Sequence, residues 1–119
     1  MNNKRDCERA ILSRYIGQIK QVGGRGPKNI HVKISGKQIH INYTLVFSPL
    51  ENFVYENLDN SINLLTDLYR RVGNVMIERS ISDISNDICQ PVSYVDYKVD
   101  VQNNKFQIIL EAENEIRFE

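Results

Sequence analysis

The chain has 119 residues, enough for one domain (1–119) with a sizeable core, and its 41% hydrophobic and 25% charged residues exclude disorder as the default state. No stretch approaches the roughly 20 apolar residues that a membrane-spanning helix requires, and Met1-Asn2-Asn3-Lys4-Arg5 runs into charge without an apolar signal core, so a cytoplasmic chain is expected. The formal net charge of zero hides a division: residues 1–40 carry nine Lys or Arg against Asp6 and Glu8, whereas residues 41–119 carry six basic and thirteen acidic side chains.

A basic N-terminal part of this kind points to an anionic partner, or to neutralisation against the acidic part within the fold or across a dimer. Cys7 and Cys89 lie far apart in sequence and match no disulfide framework or metal spacing, so two reduced thiols are expected.

The first element is an amphipathic helix over 6–22, because Leu12, Tyr15, Ile16 and Ile19 fall at i, i+3, i+4 and i+7. Gly23-Gly24 ends it, since glycine accepts the left-handed conformation common just past a helix C-terminus. A hairpin follows. Ile30, Val32 and Ile34 alternate with polar residues, as do Ile39, Ile41, Tyr43, Leu45 and Phe47 after Gly36-Lys37. A two-residue loop with glycine first suits a type II′ turn and pairs Ile34 with Ile39, Val32 with Ile41 and Ile30 with Tyr43. A one-residue slip of either strand would put its apolar set on the wrong side.

Ser48-Pro49-Leu50-Glu51 reads as a helix start, with a capping serine, proline at the first helical position and glutamate three residues after the cap. This helix is expected to be short, because residues 56–61 favour caps and turns. From about Asn60 the pattern lengthens: Leu58, Ile62, Leu65, Tyr69, Val72 and Met76 alternate spacings of four and three, and Ile77, Ile81, Ile84 and Ile88 resume the period one position later. The phase shift and Gly73-Asn74 predict a bend there.

Pro91 closes the helical region, and a second hairpin follows. With Asn103-Asn104 as a type I′ loop, Val101 faces Phe106, Val99 faces Ile108, Tyr97 faces Leu110 and Val95 faces Ala112. Val46, Tyr94 and Ile109 then fall on the outer side, spare apolar surface that a second copy would bury. The order helix, hairpin, helical region, hairpin predicts an α+β fold, an antiparallel sheet of about four strands with helices on one face.

Among candidate sites, Gly24, Arg25, Gly26 and Lys28 combine approachable backbone amides with two cations, a loop able to hold a carboxylate, phosphate or bicarbonate. The bland reading is a helix stop with solvated basic residues. His31 and His40 share the outer face, but Lys33 sits among them and no third ligand is evident, so no metal site is expected. Asp96 and Glu111 face each other in the register above, as a surface pair rather than an acid–base couple. Asp67 with Arg70 or Arg71, and Arg79 with Asp83, have the spacing of surface ion pairs. Neither cysteine has a sequence-local base. No catalytic residue, cofactor or metal ligand is assigned.

The run Gly24 to Lys28, the hairpin after it, Phe47-Ser48-Pro49 opening the helical region and the final pair of strands together resemble the MpsC family of small bacterial domains. One branch of that family is associated with a sodium-linked, membrane-potential-generating system that is also connected with bicarbonate uptake. The resemblance implies a cytoplasmic accessory protein beside a membrane complex, and by matching position it transfers only the 24–28 segment and Pro49. The leading expectation is a non-catalytic accessory or regulatory binding domain, a homodimer working through protein contacts and a small anion near Arg25 and Lys28. The alternative is a nucleic-acid-binding module using the basic N-terminal part. That alternative requires exposed aromatic residues on the strands, whereas Tyr43 and Phe47 sit on the predicted buried face.

Overall fold

A computed structural model describes residues 3–23 and 27–118. The first helix, α1 (Lys4–Gly23), begins two residues before the expected start at Asp6. Asn3 caps it: its side-chain oxygen accepts from the Asp6 backbone N–H at 2.8 Å, and its side-chain amide donates to the Asp6 carboxylate at 2.9 Å. The buried stripe is Cys7, Ile11, Tyr15 and Ile19, while Leu12 and Ile16 lie on its flank. The inward face is therefore turned slightly from the expected one.

Strands β1 (Asn29–Ser35) and β2 (Gln38–Thr44) pair in the expected register, Ile34 with Ile39, Val32 with Ile41 and Ile30 with Tyr43. Gly36 at the turn has φ +62, which its missing Cβ permits, and Lys37 has negative φ, as a type II′ turn requires. The edge strand β1 is blunted from the side of α1, where the Ile34 N–H donates to the Glu8 carboxylate at 2.8 Å.

The helical region divides as expected. Helix α2 (Pro49–Asn57) opens on a complete capping box, with the Glu51 N–H on the Ser48 hydroxyl and the Ser48 N–H on the Glu51 carboxylate. Helix α3 (Ser61–Ile88) is a single element of 28 residues, about 42 Å long at ~1.5 Å per residue. Its limits are two residues of left-handed backbone, Asn60 and Cys89, both at φ 60. Gly73 does not divide the helix. A Cβ at that position would lie 2.6 Å from the Tyr97 ring, so glycine is present for close approach between α3 and the sheet.

Strands β3 (Val92–Asp100) and β4 (Lys105–Ala112) form the second hairpin, and here the expected register is corrected. Val99 faces Phe106 and Tyr97 faces Ile108, a shift of two residues. The loop is the four residues 101–104 rather than Asn103-Asn104 alone, and of the two asparagines only Asn104 has positive φ. Asp100 holds the loop by accepting from the Asn103 side-chain amide at 2.8 Å and, at 3.3 Å, from its backbone N–H. Val101 leaves the ladder to pack with Phe47 and Leu65 in a small second cluster. An irregularity between Tyr94 and Asp96 leaves Val95 unpaired and 44% exposed, not facing Ala112. Tyr94 consequently pairs with inward-facing Leu110 instead of lying on the outer side.

The sheet order is β1-β2-β4-β3, antiparallel throughout, with the two hairpins joined by β2 against β4. The core lies between one face of this sheet and helices α1 and α3. The side chains of the other face, among them His31, Lys33, Asn42 and Lys98, are exposed or partly exposed.

Candidate binding site

Helix α1 runs antiparallel to α3 along its C-terminal part. Cys7 reaches the Asp87 carbonyl, Arg14 pairs with Asp87 and, at 3.7 Å, with Asp83, and Ile19 lies beside Val72 and Met76. Asp83 is thereby directed to Arg14 and not to Arg79, whereas the expected Asp67–Arg71 pair forms at 2.9 Å. Because α1 ends near the middle of α3, the first half of α3 has only α2 as a neighbouring helix, while its inner side packs on Phe47, Val101 and Phe106. Helix α2 itself contributes no buried residue.

Two features follow from this arrangement. The first is an apolar arm. Leu50 and Phe53 on α2 are 72% and 60% exposed, and Leu64, Leu68 and Val75 form a solvent-facing stripe on α3, one position ahead of the inward stripe of Leu65, Tyr69 and Met76. The long axis of the molecule, 52 Å against 22 and 21 Å, reflects the length of α3. The second is a cavity of about 500 Å³ where the ends of α1 and β2 meet α2 and α3.

The cavity walls are apolar, formed by Ile19, Val22, Leu45, Val46, Val72 and Met76 among others, with Lys28, Ser48 and Glu51 supplying polar groups. Tyr43, Tyr69 and Tyr97 also line it. The Tyr43 hydroxyl is hydrogen-bonded to that of Tyr97 and lies 3.5 Å from that of Tyr15, which makes a buried chain of three phenols. Burial raises the pKa of all three, and the neighbouring phenols raise it further, so each is a neutral donor at physiological pH. The Tyr69 hydroxyl is buried and has no hydrogen-bond partner among the described residues.

Of the residues singled out from sequence, Gly24, Arg25 and Gly26 lie outside the described residues. Lys28 is exposed, lines the cavity and extends the β1–β2 ladder through its N–H to the Thr44 carbonyl at 2.9 Å. His31 and His40 occupy the expected places opposite Asn42 and Lys33, with His40 beside Gln38 and Gln107. No cluster of metal-ligating side chains occurs among the described residues. Asp96 and Glu111 do not face each other, because the corrected register puts Ile109 opposite Asp96 and Ser93 opposite Glu111. Glu111 pairs instead with Lys37 at 3.4 Å. Tyr43 and Phe47 are buried, so the first hairpin has no aromatic stacking platform.

Both cysteines are free, Cys7 buried and Cys89 exposed. Burial, reinforced by Asp87, pushes the Cys7 thiol up to about 11, which removes its thiolate at neutral pH. A thiol reagent at pH 7.5 should therefore titrate one fast group, lost in Cys89→Ser, and a second only after denaturant is added. Two fast groups in native protein would contradict the packing of Cys7 against α3.

A family model described as "Na+-translocating membrane potential-generating system (MpsC)" matches residues 3–111. The chain belongs to the MpsC family. No curated protein and no solved structure gives a match. Among the described residues no helix is long and apolar enough to cross a membrane, so a link between this MpsC chain and a membrane system does not run through a spanning helix of the described part.

Sequence reasoning placed Tyr15, Tyr43 and Tyr97 inside the protein but missed that their hydroxyls meet. Periodicity reports which face a residue occupies and not which inward residues from different elements touch. The arm was equally hidden. Leu64, Leu68 and Val75 carry a helical period of their own, but only the end of α1 decides that this period faces solvent.

Proposed function

We propose that this MpsC chain is a non-catalytic accessory domain of a sodium-linked membrane system, working through polypeptide contacts made by the α2–α3 arm. The carrying observation is the exposure of Leu50, Phe53, Leu64 and Leu68 on two adjacent helices. Their apolar surface is in contact with water in the isolated chain, and exposed apolar patches of this kind mark interaction surfaces. The first contact we assign to the arm is a second copy of the chain. A stripe of Leu64, Leu68 and Val75 along one continuous helix can meet its own copy across a two-fold axis, and two-fold dimers are the commonest oligomers. The family's sodium-translocating description supports a membrane complex as the setting in which that dimer acts.

Light scattering at micromolar concentration is expected to give a dimer mass, and the double variant Phe53→Glu with Leu64→Glu a monomer. Because both side chains are at least half exposed, the variant should keep the wild-type melting profile apart from the contribution of dimerisation. A monomer across the whole concentration range, or a dimer that survives both charges, would remove the arm as the self-association surface.

A further inference from the structure

We infer that the cavity between α1, β2, α2 and α3 binds a small apolar molecule carrying a neutral carbonyl oxygen, which accepts a hydrogen bond from the buried tyrosine chain. Its volume of about 500 Å³ lies within the few hundred to 1,000 Å³ typical of small-molecule sites. Its composition fits as well, since such sites join mostly apolar walls to a few placed polar groups. Here Ile19 and Met76 are buried wall residues, and Tyr43 and Tyr97, each only 3% exposed, supply the inner polar atoms.

Counting protons decides what those atoms need. Three phenols carry three O–H donors, and two hydroxyl–hydroxyl contacts join Tyr15, Tyr43 and Tyr97. Whichever way the chain is oriented, one O–H has no acceptor among the described residues. Rotating the bond directions moves that surplus donor among the three hydroxyls but cannot remove it. Tyr69 adds a fourth buried hydroxyl, also without a partner. Unmatched buried donors cost free energy, and an acceptor delivered by a ligand recovers it. The acceptor is neutral because, among the described residues, no cationic side chain is buried beside the tyrosines. Lys28 is exposed, and an anion drawn down to the phenols would lose its hydration without gaining a counter-charge. The surroundings are thus suited to a carbonyl group on an apolar body.

The cavity shares Leu68 with the arm, but the tyrosine chain and the binding readout do not depend on self-association. Three probes of one shape separate the chemistry: butylbenzene, butyrophenone, which differs from it by one carbonyl, and the anion 4-phenylbutyrate. Amide-shift titration of the full chain should show butyrophenone shifting Leu45, Val72 and Met76. Its dissociation constant should be at least tenfold below that of butylbenzene. In the triple variant Tyr43→Phe, Tyr69→Phe, Tyr97→Phe, which removes every phenol hydroxyl lining the cavity, that tenfold advantage should disappear while butylbenzene binds as before. A thermal melt confirms that this variant folds, and the single variant Tyr97→Phe, which keeps a surplus donor on the chain, should retain the preference. Equal affinity of the two neutral probes for wild type overturns the inference, as does failure of both to bind. Tightest binding of 4-phenylbutyrate, lost in Lys28→Ala, overturns it in favour of an anion site.

Discussion

Ile108→Asp is expected to abolish cooperative folding. Ile108 is fully buried on β4, the strand shared by both hairpins, with Ile41 of β2 on one side and Tyr97 of β3 on the other. The substitution would place a carboxylate among side chains that offer it no cation, and the free energy of burying an unpaired charge exceeds the 5–15 kcal/mol by which domains are typically stable, unless the group is protonated or the strand leaves the sheet. Either route costs several kcal/mol. Ile41→Asp should behave alike, since Ile41 is also fully buried and is the direct partner of Ile108. Gln107→Asp, one position along β4 and on the outer face, should cost about 1 kcal/mol or less. Thermal melts followed by far-UV circular dichroism give the comparison, and a wild-type transition in Ile108→Asp would mean that the β2–β4 register is wrong.

The second large effect is loss of stability at alkaline pH. Tyr15, Tyr43 and Tyr97 are buried, and burial with mutual repulsion raises each pKa above its unfolded value near 10. The folded state therefore holds these protons more tightly than the unfolded state does. Their stabilising contribution is intact below pH 10 and declines as pH rises above it, because only the unfolded chain can release the protons. Each tyrosine then costs about 1.4 kcal/mol per pH unit, and the three together roughly 4 kcal/mol at pH 11 relative to pH 9. Urea titrations at the two pH values should show that difference. Replacing all three by Phe should reduce it to the contribution of the remaining groups, Cys7 among them. A wild-type midpoint that does not move between pH 9 and 11 would show that the phenols are solvated.

These expectations draw on different levels of information. The parity of β1, β2 and β4, and of β3 from Tyr97 onward, was legible in the sequence, because side chains alternate with a period of two and only one assignment buries Ile30, Val32, Ile34, Phe106, Ile108 and Leu110 together. Local chemistry was legible too. Gly36 marked the first turn, and Ser48 with Glu51 marked the start of α2, since turns and caps are made by residues adjacent in the chain.

The second hairpin shows where that reading stops. Its loop was placed on Asn103-Asn104 for their tolerance of positive φ, but Val101 is held away from the ladder by Phe47 and Leu65, which are distant in sequence. The strand moved by two residues, so the inward set kept its face from Tyr97 onward, and the irregularity at Val95 reversed the expected parity of the residues before it.

Gly73 is a similar case. As a sequence feature it signals a bend, and in the fold it is the place where Tyr97 of another element approaches the helix backbone. The order β1-β2-β4-β3, the meeting of three tyrosines, the cavity beside them and the exposed outer side of the first half of α3 are likewise relations between elements. Periodicity, capping and turn propensity are set by neighbours along the chain, and the sequence by itself determined those. Which inward side chains meet, and where one helix ends against another, depends on the packing of elements dozens of residues apart, and only the tertiary structure decided it.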